Sequence, residues 1–307
     1  MITIDIPELN KTLYLPENLE ECDTRQYIEM CALIYRYNKK EIDLETFKVQ
    51  AIYQLLNLEP TETENQEHEE DKLSNIYMLT DAVDLFFEPD PESDNVQIKL
   101  THINNHIPEL KPLMSTYYGP TDQFRNVKFG EYSDAINLYL EYEQTRDENL
   151  LYLILAIFYR QKKQIFKKAS DDGDIREKYN EATVDERAKT LKILPIGYAY
   201  GFYLFLASFH KYITSAKISL NGQEIDFSKL FEEPTEKVAS SSLPGLGLKS
   251  IEYKIAESGV FGNAKKVRQT NMWEIYIRLY DITKTHEDEK ARLKEAEAEA
   301  KAKSKTQ

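Results

Sequence analysis

Two histidines four positions apart, His102 and His106, with Glu109 three residues further on, come nearer to a metal-ligand pattern than anything else in this sequence. On a continuous helix that spacing would put two imidazoles and a carboxylate on one face, a donor set suited to a divalent cation. Pro108 and Pro112 interrupt the stretch. Proline removes a helical donor and clashes with the preceding turn, so neither a helix nor a metal site is expected there. His210 ends a run of aromatics with no nucleophile beside it and reads as a core-edge residue donating to a carbonyl rather than as a base. The sequence has no phosphate-binding loop, nucleophile elbow, HExxH or paired CxxC. PGLGL at 244–248 shares only composition with a glycine-rich loop, because no buried strand precedes it. The basic run QKKQIFKK at 161–168 has the charge to touch a polyanion, but it follows an apolar run and reads as the solvated exit of a buried helix. The expectation is a protein that is not an enzyme and uses no cofactor.

Charge narrows the partners. With 39 basic against 53 acidic residues the net charge is −14, so a polyanion is repelled over most of the surface. The 307 residues are 41% hydrophobic, sufficient for a core, and the 21 tyrosines and 13 phenylalanines against one tryptophan place hydroxyls at the edges of apolar surface, a composition suited to interfaces. Cys22 and Cys31 read as lying on one helix, about 13 Å apart along its axis, too far for a disulfide; a reducing compartment fits. The opening MITIDIPELNK lacks the basic, apolar and small-residue regions of a signal peptide, so the chain is expected to stay in the cytoplasm until it assembles.

The chemistry-bearing residues hang on a framework centred at 129–160. Ala135, Ile136, Leu138, Tyr139 and Tyr142 mark an amphipathic helix. Thr145 with Glu148 then reads as a capping box for a second helix, which from 150 to 159 is apolar on every side and must be buried. Arg160, Lys162 and Lys163 stop that run far short of the ~20 residues of a membrane span. A second buried helix is read at 196–209, after a helix begun by a Thr183/Glu186 capping box and ended by Pro195. Upstream, Ile2, Ile4 and Ile6 alternate as a strand ended by Pro7, helices are expected from Asp23 or Thr24 to about Tyr37 and from near Asp43 to Asn57, and one helix at 72–87. Val96, Ile98 and Leu100 alternate as a strand before a proline-broken extended connection. Downstream, Asn221-Gly222 predicts a β-hairpin at 217–227, and 232–250 a long loop. A short helix reaches Glu257, and a last one carries Trp273, Ile275, Tyr276 and Leu279 to about Ile282. The tail beyond Thr285 has no apolar face and is expected to be solvated or ordered by a partner.

Three segments carry a resemblance. KFGEYSDAINLYLEYEQTRDENLLYLILAIFYR, TVDERAKTLKILPIGYAYGFYLF and KIAESGVFGNAKKVRQTNMWEIYIRL occur in that order. They resemble structural proteins of tailed bacteriophages and prophages of the Bacteroides group, in particular the neck or tail ring proteins of crAss-like phages. The resemblance implies a virion protein, made in the cytoplasm of a bacterial host, that self-associates into a ring in the head-to-tail conduit. It also implies stacking on the portal or adjacent rings, with DNA passing through without sequence-specific binding. The alternatives are a tail-assembly chaperone or scaffold that leaves the particle, and a cytosolic helical adaptor.

The expected fold is mainly α, a multi-helix bundle with a small β-hairpin and extended arms. A strand and helical hairpin at 1–58, an acidic loop or linker at 59–72, a helical body at 73–283 and a charged tail at 284–307 divide the chain. The residues expected at interfaces are Ile4, Val96, Ile98, Asn221, Gly222, Leu243 and Leu246, on strands, a hairpin and a loop that offer backbone or apolar side chains to a neighbour.

Overall fold

In the computed structural model, which describes residues 1–6, 10–58, 66–90, 96–163, 173–215, 217–220, 222–231 and 247–305, the chain is mainly α-helical with small two-stranded antiparallel sheets. It divides into two compact units, Met1–Phe124 with Ala135–His210, and Arg125–Asp134 with Lys211–Gln307. The expected separation of 1–58 from a 73–283 body is not the division observed, because the first helix packs on the helix at 196–215, far along the chain.

In the first unit, β1 (Ile2–Ile6) pairs with β2 (Lys11–Leu15), setting Ile4 opposite Leu13. Helix α1 (Thr24–Asn38) starts at Asp23, whose carboxylate accepts from the Gln26 N–H while the Gln26 side chain accepts from the Asp23 N–H, a complete capping box. Cys22 therefore precedes the helix that holds Cys31; both are buried and free. Asp43 caps α2 (Leu44–Leu55), which packs on α1 as the expected helical hairpin. Helix α3 (Gln66–Leu79) begins inside the acidic stretch read as a loop, and its α-geometry stops eight residues before the expected end. Residues Thr80–Phe86 continue as a 3-10 helix, whose three-residue repeat puts Val83 and Phe86 on one buried side. Phe87 then opens β3 (Phe87–Pro89), which pairs with β4 (Val96–Ile98).

The proline-broken connection is extended, as its sequence indicates, but it is no free arm. Its strands β5 (Glu109–Leu110) and β6 (Tyr117–Tyr118) pair, and Ile107, Leu110 and Tyr117 are buried. The N–H groups of Gly119, Tyr118 and Gln123 donate to the carbonyls of Pro108, Arg160 and Ile103 at 2.8–2.9 Å. Buried backbone needs partners, and these bonds supply them.

Helix α4 (Phe129–Thr145) buries Ala135, Ile136 and Tyr142, and leads into α5 (Glu148–Phe158), buried over nearly its whole surface. The cap of α5 is Asp147, which accepts from the Asn149 N–H; Thr145 ends α4, its hydroxyl donating to the Glu141 carbonyl. Thr183 likewise fails as a cap of α6 (Val184–Leu191), because its hydroxyl donates to the Asn180 carbonyl and accepts from Arg187. Helix α7 (Ile196–Ser215) is buried from Ala199 to Phe209. It meets α5 where Phe202 lies 5.1 Å from the rings of Phe158 and Tyr159, and α6 packs on α5 as well. Phe124 stacks on Phe205 at 4.6 Å and completes this aromatic centre.

In the second unit, β7 (Lys217–Leu220) and β8 (Gln223–Asp226) form the expected hairpin, with Gly222 at φ +77°, a left-handed turn position. Helices α8 (Leu248–Glu257), α9 (Ala264–Gln269) and α10 (Met272–Lys305) follow. Phe129 and Tyr132 pack edge-on to Tyr276, and Phe227 lies against Trp273, Tyr276 and Tyr280. Helix α10 continues well past Ile282, so the charged tail is helical through Lys305.

Candidate functional site

The His102/His106 pair sits on the extended connection, held between α1 and α7. His102 is fully buried, with Nε2 2.8 Å from the Tyr27 hydroxyl. That hydroxyl donates its one hydrogen to the Gly201 carbonyl at 2.7 Å, so His102 must donate from Nε2 and keep Nδ1 as a bare lone pair. No donor or acceptor faces Nδ1, and burial holds the imidazole neutral, its pKa pushed down to about 3. The His106 ring stacks on Tyr27 at 4.6 Å, and its Nε2 lies 3.9 Å from Glu20 Oε2, beyond hydrogen-bond length. Glu109 takes no part; it lies on β5, paired with Lys111. Among the described residues no group of three or more His, Cys, Asp or Glu is arranged to hold a metal ion. Gly201 makes room for the cluster, since a Cβ there would stand 3.0 Å from the Tyr27 ring.

A second polar cluster escaped sequence reading. Arg160, read with Lys162 and Lys163 only as what ends the apolar run, is 1% exposed, and Arg176 is 0% exposed. Three guanidiniums cap consecutive carbonyls at the C-terminal end of α5: Arg187 donates to Ala156, Arg160 to Ile157 and Arg176 to Phe158. A helix leaves its last carbonyls unpaired and its C-terminus partly negative, so cations placed there satisfy both needs. Asp174 accepts two bonds from Arg176, at 2.8 and 2.9 Å, and stands 3.5 Å from Arg160. The signal that could have found this cluster is the D-x-R of Asp174 and Arg176, a short spacing for a carboxylate to meet a guanidinium fork.

Ten of the 21 tyrosines are buried. Tyr35, Tyr142, Tyr200 and Tyr203 are buried together at the ends of α1, α4 and α7, where Tyr35 donates to Glu148 at 2.6 Å, Tyr203 to Glu143, and Asn38 to the Tyr200 hydroxyl. Burial raises all four phenols above their ordinary range, so they remain neutral donors. His210 stands 6.1 Å from Tyr139, its imidazole pKa lowered by burial.

Of the expected surface residues, Ile4 is half-buried on β1, Val96 is exposed and Ile98 half-buried on β4, and Gly222 is exposed at its turn. Ile4 and the Val96/Ile98 pair lie on separate sheets, and among the described residues each strand of those sheets pairs with one neighbour. Asn221, Leu243 and Leu246 fall outside the described residues, as does most of PGLGL; Gly247 and Leu248 lead into α8. The sequence reading missed the most exposed apolar side chains. Leu113 and Met114, at the tip between β5 and β6, are 75% and 103% exposed, and Leu113 takes a left-handed φ of +53°. On α3, Leu73, Tyr77 and Met78 are exposed as well. Among the described residues no helix is long and apolar enough to cross a membrane. No protein-family model, curated protein or solved structure matches the chain.

Proposed function

We propose that the chain is a structural protein of a tailed-bacteriophage virion, forming a ring in the head-to-tail connector or tail by self-association and by stacking on the portal or neighbouring rings. The observation that carries this reading is the contrast between inside and surface. The buried histidine and arginine groups are bonded into helix ends and helix crossings. Single-paired strands and large apolar side chains such as Val96, Leu113 and Met114 stand exposed. Exposed apolar groups and open strand edges are features of chains that bind other chains. The resemblance of the 128–160, 183–205 and 254–279 segments to phage ring proteins supplies the kind of assembly. A closed ring needs two different surfaces on each copy. The β3–β4 hairpin with the Leu113–Met114 tip is one, and the β7–β8 hairpin the other. The ring acts without catalysis or cofactor, and its net charge of −14 suits a conduit that DNA crosses without binding to it.

Mass spectrometry of purified particles tests the reading. A ring component is present at a fixed stoichiometry relative to the portal. Absence from mature particles, with presence in assembly intermediates, would replace it by a tail-assembly chaperone.

A further inference from the structure

Helix α10 changes character along its length. Met272, Ile275, Tyr276 and Leu279 are buried in the second unit, whereas every side chain from Lys284 to Ala298 is exposed, although the helix continues to Lys305. No packing holds residues 284–298, so their order needs another source. Isolated helices are marginal in water mainly because the first turn fixes several residues for one hydrogen bond. Here the packed turns around Tyr276 provide that first turn, and extension needs only residues with favourable propensity. From Lys290 to Lys303 the stretch is built only from Ala, Glu, Lys, Arg and Leu, all strong helix formers, and from Lys284 to Lys305 it has neither glycine nor proline. Its charges add support. Lys284 Nζ lies 3.8 Å from Asp288, and Asp288 precedes Arg292 by one turn in the favourable acidic-first order. Glu287 with Lys290 and Glu289 with Arg292 repeat the pairing at three-residue spacing. Each pair contributes about 0.2–0.5 kcal/mol, enough when summed to hold a helix whose nucleus is already formed. Leu293 is the one large apolar residue from 284 to 305, too little for a coiled-coil seam.

We propose that α10 beyond Lys284 is a self-supporting rod: a charged single helix that stays folded with no partner along it and holds its far end about 30 Å from the packed turns. Its role is reach at a set distance. Whatever engages the end near Lys305 is met at a fixed separation from the second unit rather than anywhere within the radius of a loose tether. This inference is independent of the proposed ring.

Spin labels at His286→Cys and Lys303→Cys in the full chain test it, since the native Cys22 and Cys31 are buried and do not compete for label. The rod gives one narrow distance peak near about 26 Å, 17 residues at helical rise. Ala296→Pro should widen the peak at least about twofold by breaking the helix between the labels. The thermal transition followed by Trp273, the single tryptophan, should stay unchanged. A broad distribution in the unbroken helix overturns the proposal, as does a narrow peak that survives Ala296→Pro. A shift of the Trp273 transition on that substitution would also overturn it, because the helix would then not be standing on its own.

Discussion

With the Tyr27 hydroxyl committed to the Gly201 carbonyl, a second proton on His102 would sit at Nδ1, where nothing accepts it. The folded imidazole pKa of about 3 lies below its ordinary value of 6.5, so the folded state binds fewer protons than the unfolded chain between those values. Stability from this group is therefore fully present above pH 6.5 and is lost as pH falls toward 3. Over the whole window the loss is on the order of 4 kcal/mol. Burial lowers the pKa of His106 and His210 too, so they act in the same direction. Urea titrations at a series of pH values should show stability dropping below pH 6.5, with a shallower slope in His102→Gln, whose amide can still donate to Tyr27. An equal slope would assign the acid sensitivity to other groups. Core substitutions separate residues that look alike in sequence. Phe205→Ala, at a fully buried ring, should cost about 3–5 kcal/mol, while Leu153→Ala should cost less, because Leu153 is the half-buried member of the α5 apolar run.

Elements depend on a few such contacts. A Cβ on Gly197 would stand 2.3 Å from the Ile28 carbonyl oxygen, so α1 and α7 cross where only glycine fits. Gly to Ala within a helix ordinarily stabilises by about 0.5–1 kcal/mol. Here the clash is with backbone, which cannot swing aside, and overpacking costs about 1–3 kcal/mol or more. Gly197→Ala should thus destabilise in a denaturant melt; a rise in stability would mean that the helices can separate freely. The helix caps give a paired comparison. Asp147→Ala should lose about 1 kcal/mol with the N-terminal bond of α5, and Thr145→Ala close to nothing, since Thr145 closes the preceding helix. At the other end of α5, Arg176→Met leaves Asp174 without its bidentate partner and the Phe158 carbonyl without its donor, and should cost about 3–5 kcal/mol in the same assay.

For the whole molecule, charge would oppose the proposed assembly. Copies carrying −14 each would repel in such a ring, and salt screens that repulsion over a Debye length of about 8–10 Å near physiological strength. Contacts through the exposed Val96, Leu113 and Met114 would be apolar and would not be weakened by screening. Sedimentation velocity from low to moderate salt should therefore show larger assemblies as salt rises, and Met114→Asp should reduce them while leaving the monomer's melting unchanged. Assemblies that dissolve as salt rises would instead mean that ion pairs hold the copies together.

The sequence by itself determined what depends on neighbours within a turn or two. The mainly α class, the two buried helices in 150–159 and 196–209, the helix starts at Asp23 or Thr24 and near Asp43, and the hairpin at Gly222 were all legible from periodicity, capping residues and turn chemistry. It misread Thr145 and Thr183 because a hydroxyl has several carbonyls and N–H groups within reach, and only the packed geometry selects among them. It gave Arg160 no partner and read it only as the end of the apolar run, because a guanidinium there is ordinarily wet. The structure buries it because Asp174 and the carbonyl of Glu177 come from farther along the chain to partner it, beside the Ile157 carbonyl three residues back. The proline-broken connection after β4 belongs to the first unit for the same reason, its backbone finding partners at Arg160 and Gln123. Tertiary structure decided where charge and extended backbone are buried, since their desolvation is offset only by partners that folding brings from far along the chain.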